Sequence, residues 1–185
     1  MLKASDMVQI DEEGQVIGGN KVAVNAAGFK IHSAIHKARP DLNAACHCHS
    51  PAGKAWSTFG RPLDIINQDS CTIYGIQAVY ESFGGVVLND EEGRRIAETL
   101  GSKNRVAVLQ NHGLITAGST VDEAAYLFTM MERLCEVQIM VESTGIAKRH
   151  IGHEEAEFTA RVNADHVCSF QSETQYHFCC MLTLV

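Results

Sequence analysis

The stretch Leu42-Asn43-Ala44-Ala45-Cys46-His47-Cys48-His49-Ser50-Pro51 decides how this chain is read. It is largely apolar as far as two histidines spaced one residue apart, and it then breaks at Ser-Pro. Alternate residues of a strand project to the same face, so His47 and His49 share one face while Cys46 and Cys48 share the other. Ser50-Pro51 then opens a helix, with a capping hydroxyl followed by proline at the first helical position. Neutral imidazole is a common zinc ligand, and three protein ligands with one open position is the catalytic arrangement. His112 supplies a third imidazole from Gln110-Asn111-His112-Gly113, a turn between two apolar strands. Open α/β sheets place their ligands at such strand ends. His47, His49 and His112 are therefore the candidate metal ligands, and Cys46 and Cys48 read as core thiols.

Outward from this stretch, strand and helix signals alternate. Met7–Ile10 and Val16-Ile17 flank a hairpin turn at Glu13-Gly14. Asn25 caps a helix running to Ala38, with Phe29, Ala34, Ile35 and Ala38 at helical spacing and Pro40 beyond its end. Short strands are expected at Leu63–Ile66, Thr72–Tyr74 and Gln77–Tyr80. Asp90 caps a helix through Leu100, closed by Gly101. Arg105–Gln110 and Leu114–Ala117 read as strands around the His112 turn. Thr120-Val121-Asp122-Glu123 is a capping box. It opens the longest helix, with Ala124, Leu127, Phe128, Met131, Leu134, Cys135 and Ile139 as its apolar stripe. Alternation of this kind specifies an α/β layered domain. Past Ile151 come a short acidic helix and an apolar end, Phe178–Val185, without a readable pattern.

The remaining histidines read as structural. His32 and His36 lie four apart on a helix, but without a His-Glu-x-x-His arrangement they are expected as a hydrogen-bonded core residue and a solvated one. His150, His153, His166 and His177 stand in polar contexts and are expected at the surface.

Composition narrows the function. The 185 residues, 45% of them hydrophobic, suffice for one domain with a substantial core. A net charge of -7 offers no basic footprint for nucleic acid and no polybasic membrane patch. A small-molecule substrate is the expected partner. Neither a signal peptide nor a membrane-spanning run is visible, and the seven cysteines lack Cys-x-x-Cys spacing. Reduced thiols and a cytoplasmic location follow as expectations.

Ala26-Ala27-Gly28-Phe29-Lys30-Ile31-His32-Ser33-Ala34-Ile35-His36-Lys37-Ala38-Arg39-Pro40-Asp41 precedes the paired histidines, and Gln110-Asn111-His112-Gly113-Leu114 follows them. With Val121-Asp122-Glu123-Ala124-Ala125, these segments resemble the class II aldolase/adducin head-domain family in its fungal, adducin-like form. The resemblance implies a three-layer α/β/α sandwich around a mixed, mainly antiparallel sheet, which assembles as a homo-oligomer, typically a tetramer. That domain is expected over residues 1–150, with a short helix and divergent tail at 151–185. The resemblance also implies Zn2+ or another divalent metal on His47, His49 and His112. The implied reaction is cleavage of a carbon–carbon bond beside a carbonyl in a small hydroxy-carbonyl substrate, through enediolate stabilisation. Epimerisation and decarboxylation are related outcomes.

Three departures qualify this picture. Aldolases carry a glutamate for proton transfer four residues before the position of His32, where this chain has Gly28. Adducin-like members carry glycine there too, and adducin is a cytoskeletal protein rather than an enzyme. The catalytic residue is thus unassigned, with Gln68, Asp69 and Tyr74 as candidates to line the pocket. Second, Met1 matches an internal position of the family pattern, so a truncated front, a sheet short of strands, an open pocket and an unpaired sheet edge are expected. Third, the end from about Asp165 diverges, leaving Tyr176 as the sole candidate for a tyrosine lent to a neighbouring site. A non-catalytic binding or assembly module, or an inactive fragment, is the alternative to a zinc-dependent lyase.

Overall fold

The computed structural model describes residues 3–86, 90–167 and 181–184. A small hairpin leads, with β1 (Val8–Ile10) antiparallel to β2 (Val16–Gly19). The main sheet has five strands: β3 (Ala44–Cys48), β4 (Gln77–Tyr80), β5 (Val106–Leu109), β6 (Gly113–Gly118) and β7 (Met181–Leu184). Their spatial order is β4-β5-β6-β3-β7, with β4 and β5 parallel and every other pair antiparallel. This is the mixed, mainly antiparallel sheet expected.

Alternation along the strands splits the core in two. Cys46, Val106, Val108 and Leu114 face α2 (Pro51–Ser57) and the long α4 (Val121–Ser143). Ala45, Ala107, Leu109 and Ile115 face α1 (Ala26–Ala38) and α3 (Asp90–Leu100). Burial on both faces gives the three layers. The sequence patterns fix the helix ends well. Asn25 Oδ1 accepts the Gly28 amide at 3.0 Å and caps α1, and Thr120 Oγ1 accepts the Glu123 amide at 3.2 Å and caps α4. Glu123 does not return the bond to Thr120. Its carboxylate takes the Ser119 amide at 2.7 Å and pairs with Arg105 at 2.6 Å, tying the helix start to β5.

Several expectations are corrected. Leu63–Ile66 is extended but joins no ladder, because side-chain amides occupy its backbone. Gln77 bonds Leu63 on both its amide and carbonyl (3.0 and 2.9 Å), and the fully buried Gln138 does the same to Asp64 (2.9 and 2.6 Å). The Thr72–Tyr74 strand is replaced by a 3-10 turn over Asp69–Ile73. Asn67 and Ser70 close that turn by side-chain bonds that compete with strand pairing. Asp90 is the first residue of α3, where it pairs with Lys30, and the cap position before it lies outside the described residues. The unplaced apolar end supplies β7, which pairs with β3, so β3 is not an open edge. Tyr176 and His177 lie outside the described residues. α5 (His153–Val167) docks on the 3-10 turn, with Asn163 Nδ2 donating to Thr72 Oγ1 at 2.9 Å.

His32 is the largest surprise in the core. It is fully buried, and neither ring nitrogen has a hydrogen-bond partner among the described residues. His36, expected in solvent, is half-buried, with Nδ1 against the Leu42 carbonyl at 2.8 Å. Burial, with the nearby His47 and His36, pushes the His32 pKa down from 6.5 to about 3. The folded protein therefore refuses a proton that the unfolded chain accepts. The corresponding stability is intact above pH 6.5 and is lost as pH falls towards about 3. Between pH 6.5 and about pH 5 this single group costs the fold about 2 kcal/mol. In metal-free protein, denaturant unfolding of His32→Leu should match or exceed wild type at neutral pH and gain that margin at about pH 5. Parallel pH profiles for the two proteins would contradict it.

Candidate metal centre

His47 and His49 leave β3 on one face, as strand alternation requires, and His112 arrives from the turn between β5 and β6. The register joins them: His47 lies opposite Ile115, and Cys48 opposite Leu114, two residues after His112. Two local features hold that turn. Asn111 adopts φ 57°, a left-handed conformation that asparagine tolerates better than most residues, and its amide donates to the Ser57 carbonyl at 3.1 Å. Gly113 passes so close to β3 that a Cβ would stand 2.9 Å from the Cys48 carbonyl oxygen. Only glycine allows this approach.

The three rings converge edge to face, with centroids 5.2, 4.8 and 4.7 Å apart. One ligand atom from each lies within 4.8 Å of the others. Zinc–nitrogen bonds of about 2.0–2.1 Å bring tetrahedral ligands somewhat closer than this, a difference that side-chain rotation can close. His47 Nδ1 donates to the Leu114 carbonyl at 2.9 Å, which fixes the tautomer and leaves the Nε2 lone pair free. Burial, together with His47 and His49, pulls the His112 pKa to about 4. Burial first, and His49 after it, also lowers that of His47, against the opposing effect of the Leu114 carbonyl. Both rings are neutral near pH 7, the form that donates a lone pair to a metal. The residues present thus fit a divalent ion on an observation independent of any family pattern.

A cleft of about 600 Å³ opens over the triad, with Asn25, Gly28, Lys54, Phe83 and Asn111 among its walls. No Asp or Glu lines it among the described residues. Asp69 and Tyr74 do not reach it. Tyr74 Oη instead bonds His153 Nδ1 at 2.6 Å, where the 3-10 turn meets α5, and Asp69 is exposed on that turn. Gln68, beside it, is likewise outside the cleft lining.

Sequence reasoning also missed Glu132. Ser50 does not cap α2 with its hydroxyl. Glu132, half-buried on α4, takes that role with a carboxylate, accepting the Ala52 and Gly53 amides at 2.9 and 2.8 Å and the Ser50 hydroxyl. A charged acceptor makes stronger bonds to helix N-terminal amides than a hydroxyl does. The result anchors the chain immediately after His49. Nothing local marks this residue, because the contact spans about eighty positions.

The chain matches the family model for the Class II Aldolase and Adducin N-terminal domain over residues 1–139. It is 42% identical over 179 residues to the Meiotically up-regulated gene 14 protein of Schizosaccharomyces pombe, covering 96% of this chain and 69% of that protein. It is 36% identical over 174 residues to Decarboxylase NovR of Streptomyces niveus, covering 94% and 63%. The solved structure of L-fuculose 1-phosphate aldolase from Glaciozyma antarctica PI12 superposes with a TM-score of 0.75 at 43% identity, covering 85% of this chain and 60% of that one. The chain therefore spans roughly two thirds of the length of these relatives.

The Glu132 clamp is testable without knowing a substrate. Glu132→Gln leaves one carbonyl oxygen for donors that now share two, so it should destabilise the fold by about 1–3 kcal/mol. By loosening the exit of His49 it should also weaken divalent-metal binding about tenfold. Calorimetric unfolding and metal titration check both effects, and an unchanged midpoint with unchanged affinity would refute the clamp.

Proposed function

The chain belongs to the class II aldolase and adducin N-terminal domain family, and on that premise we propose that it is a zinc-dependent, aldolase-like lyase acting on a small hydroxy-carbonyl substrate. The observation that carries this reading is the convergence of His47, His49 and His112 beneath an open cleft. A divalent ion held there supplies Lewis acidity, polarising substrate oxygens and offsetting the negative charge left when a bond beside a carbonyl breaks. The chain's own groups prepare for this. His47 is locked in one tautomer by the Leu114 carbonyl, and Asn25 and Asn111 offer neutral donors and acceptors at the cleft wall.

Proton transfer is where this cleft differs from the family's aldolases. Gly28 stands where aldolases of the family place a carboxylate, and the cleft lining contains no acid among the described residues. This specific observation favours a second reading, a non-catalytic adducin-like binding or assembly module. Of the lyase outcomes, decarboxylation suits such a cleft best, because it begins by release of carbon dioxide rather than by removal of a proton. Decarboxylase NovR, among the relatives, supports that direction. A homo-oligomer in the cytoplasm belongs to the same proposal. No helix among the described residues is long and apolar enough to cross a membrane.

Elemental analysis of purified protein tests the metal half of the reading. One zinc or other divalent ion per chain is expected in wild type, and its loss in a folded His112→Ala variant. Metal-free wild type that cannot be loaded would sink the lyase reading. Full loading with no turnover across a panel of hydroxy-carbonyl acids and sugar phosphates would favour the binding module.

A further inference from the structure

The cleft has a charge opposite to that of the molecule around it. The chain carries 22 acidic against 15 basic side chains, yet the described lining of the cleft holds no carboxylate and one ammonium, that of Lys54, beside the three histidines and the Cys48 thiol. Lys54 sits on α2, five residues after His49, on the helix that Glu132 anchors. Several basic groups of the fold are committed to carboxylates, among them Lys30 to Asp90, Arg39 to Asp41, Arg105 to Glu123 and Lys148 to Asp64 and Glu142, and of the described basic groups without such a partner it is Lys54 that lines the cleft. Lys54 has no carboxylate partner among the described residues.

We propose that Lys54 is the specificity-determining residue of the cleft, binding an anionic group on the substrate that lies remote from the atoms facing the histidine triad. This rests on the metal-dependent reading above and sharpens its substrate class. The substrate is a hydroxy-carbonyl acid, anchored at one end by the metal centre and at the other by the Lys54 ammonium. A carboxylate is the group that suits the site. A single ammonium in a cleft also lined by the Asn25 and Asn111 amides can satisfy two oxygens, whereas a phosphate dianion presents three oxygens and a second charge. The absence of any carboxylate from the described walls has the same consequence, since a fixed acid beside Lys54 would compete for its charge. The anchored helix fixes the Lys54 backbone in advance of binding, so recognition has only its exposed side chain to order.

Three 2-hydroxy acids that differ only at the far end separate the possibilities: lactate (methyl), malate (carboxylate) and 3-phosphoglycerate (phosphate). Titration calorimetry on zinc-loaded protein should give malate at least about tenfold tighter than lactate, the value of a charge-assisted bond. Lys54→Met should bring that ratio close to one while leaving lactate affinity and zinc content unchanged, and Lys54→Arg should retain most of it. Malate should also slow acetylation of Lys54, read by peptide mass spectrometry. A Lys54-dependent preference for 3-phosphoglycerate over malate keeps the anion site and makes its ligand a phosphate. A malate-to-lactate ratio that Lys54→Met leaves unaltered overturns the assignment while the metal reading stands. Failure of all three acids to bind zinc-loaded protein overturns both.

Discussion

The pairing of β3 with β6 is the constraint on which the site depends. His47 and His49 are separated from His112 by more than sixty residues, and the antiparallel register brings them to one end of the sheet. That register needs close approach of the two strands at their shared end, and Gly113 against the Cys48 carbonyl provides it. The same ladder gives His47 its Leu114 partner, so backbone pairing and ligand orientation are one event. A one-residue slip would turn His47 towards α4 and Cys46 or Cys48 towards the cleft, exchanging imidazoles for thiols.

Around this ladder, charge is distributed with a purpose that the net value hides. Acidic side chains are spent on internal work. Glu132 caps α2, Glu123 binds the start of α4 to Arg105, and Asp64 and Glu142 hold Lys148. The described walls of the cleft are left with imidazoles, amides, the Cys48 thiol and one ammonium. Such a surface could hold a divalent ion by lone pairs and leave the ion's positive charge available for ligands. His32, without a hydrogen-bond partner among the described residues, belongs to the same picture: a buried, uncharged imidazole adds no competing charge behind the candidate metal ligands.

Much of this was legible in the sequence because it is local. Helix starts at Asn25 and Thr120 follow from capping chemistry, and the shared face of His47 and His49 follows from the two-residue period of a strand. The turn before Gly113 pointed to His112 and the alternation of elements to a layered domain, and the family resemblance added the α/β/α sandwich with its mixed sheet. What escaped was non-local. Leu63–Ile66 has strand composition, but Gln77 and Gln138 satisfy its backbone from elsewhere. Glu132 looks like any half-exposed helix acid, and β7 is a four-residue segment whose place depends on the free side of β3. Asp69 and Tyr74 follow the zinc strand in sequence but turn away with the 3-10 helix to meet α5.

The central claim is that three imidazoles, and no thiolate, form the metal centre, although Cys48 also lines the cleft. X-ray absorption at the zinc edge of the loaded protein measures this directly. Nitrogen or oxygen scatterers alone at about 2.0–2.1 Å, with the multiple-scattering pattern of three imidazoles, is the predicted spectrum. A sulfur shell at about 2.3 Å would contradict the register, the assigned faces of β3 and the site built on them.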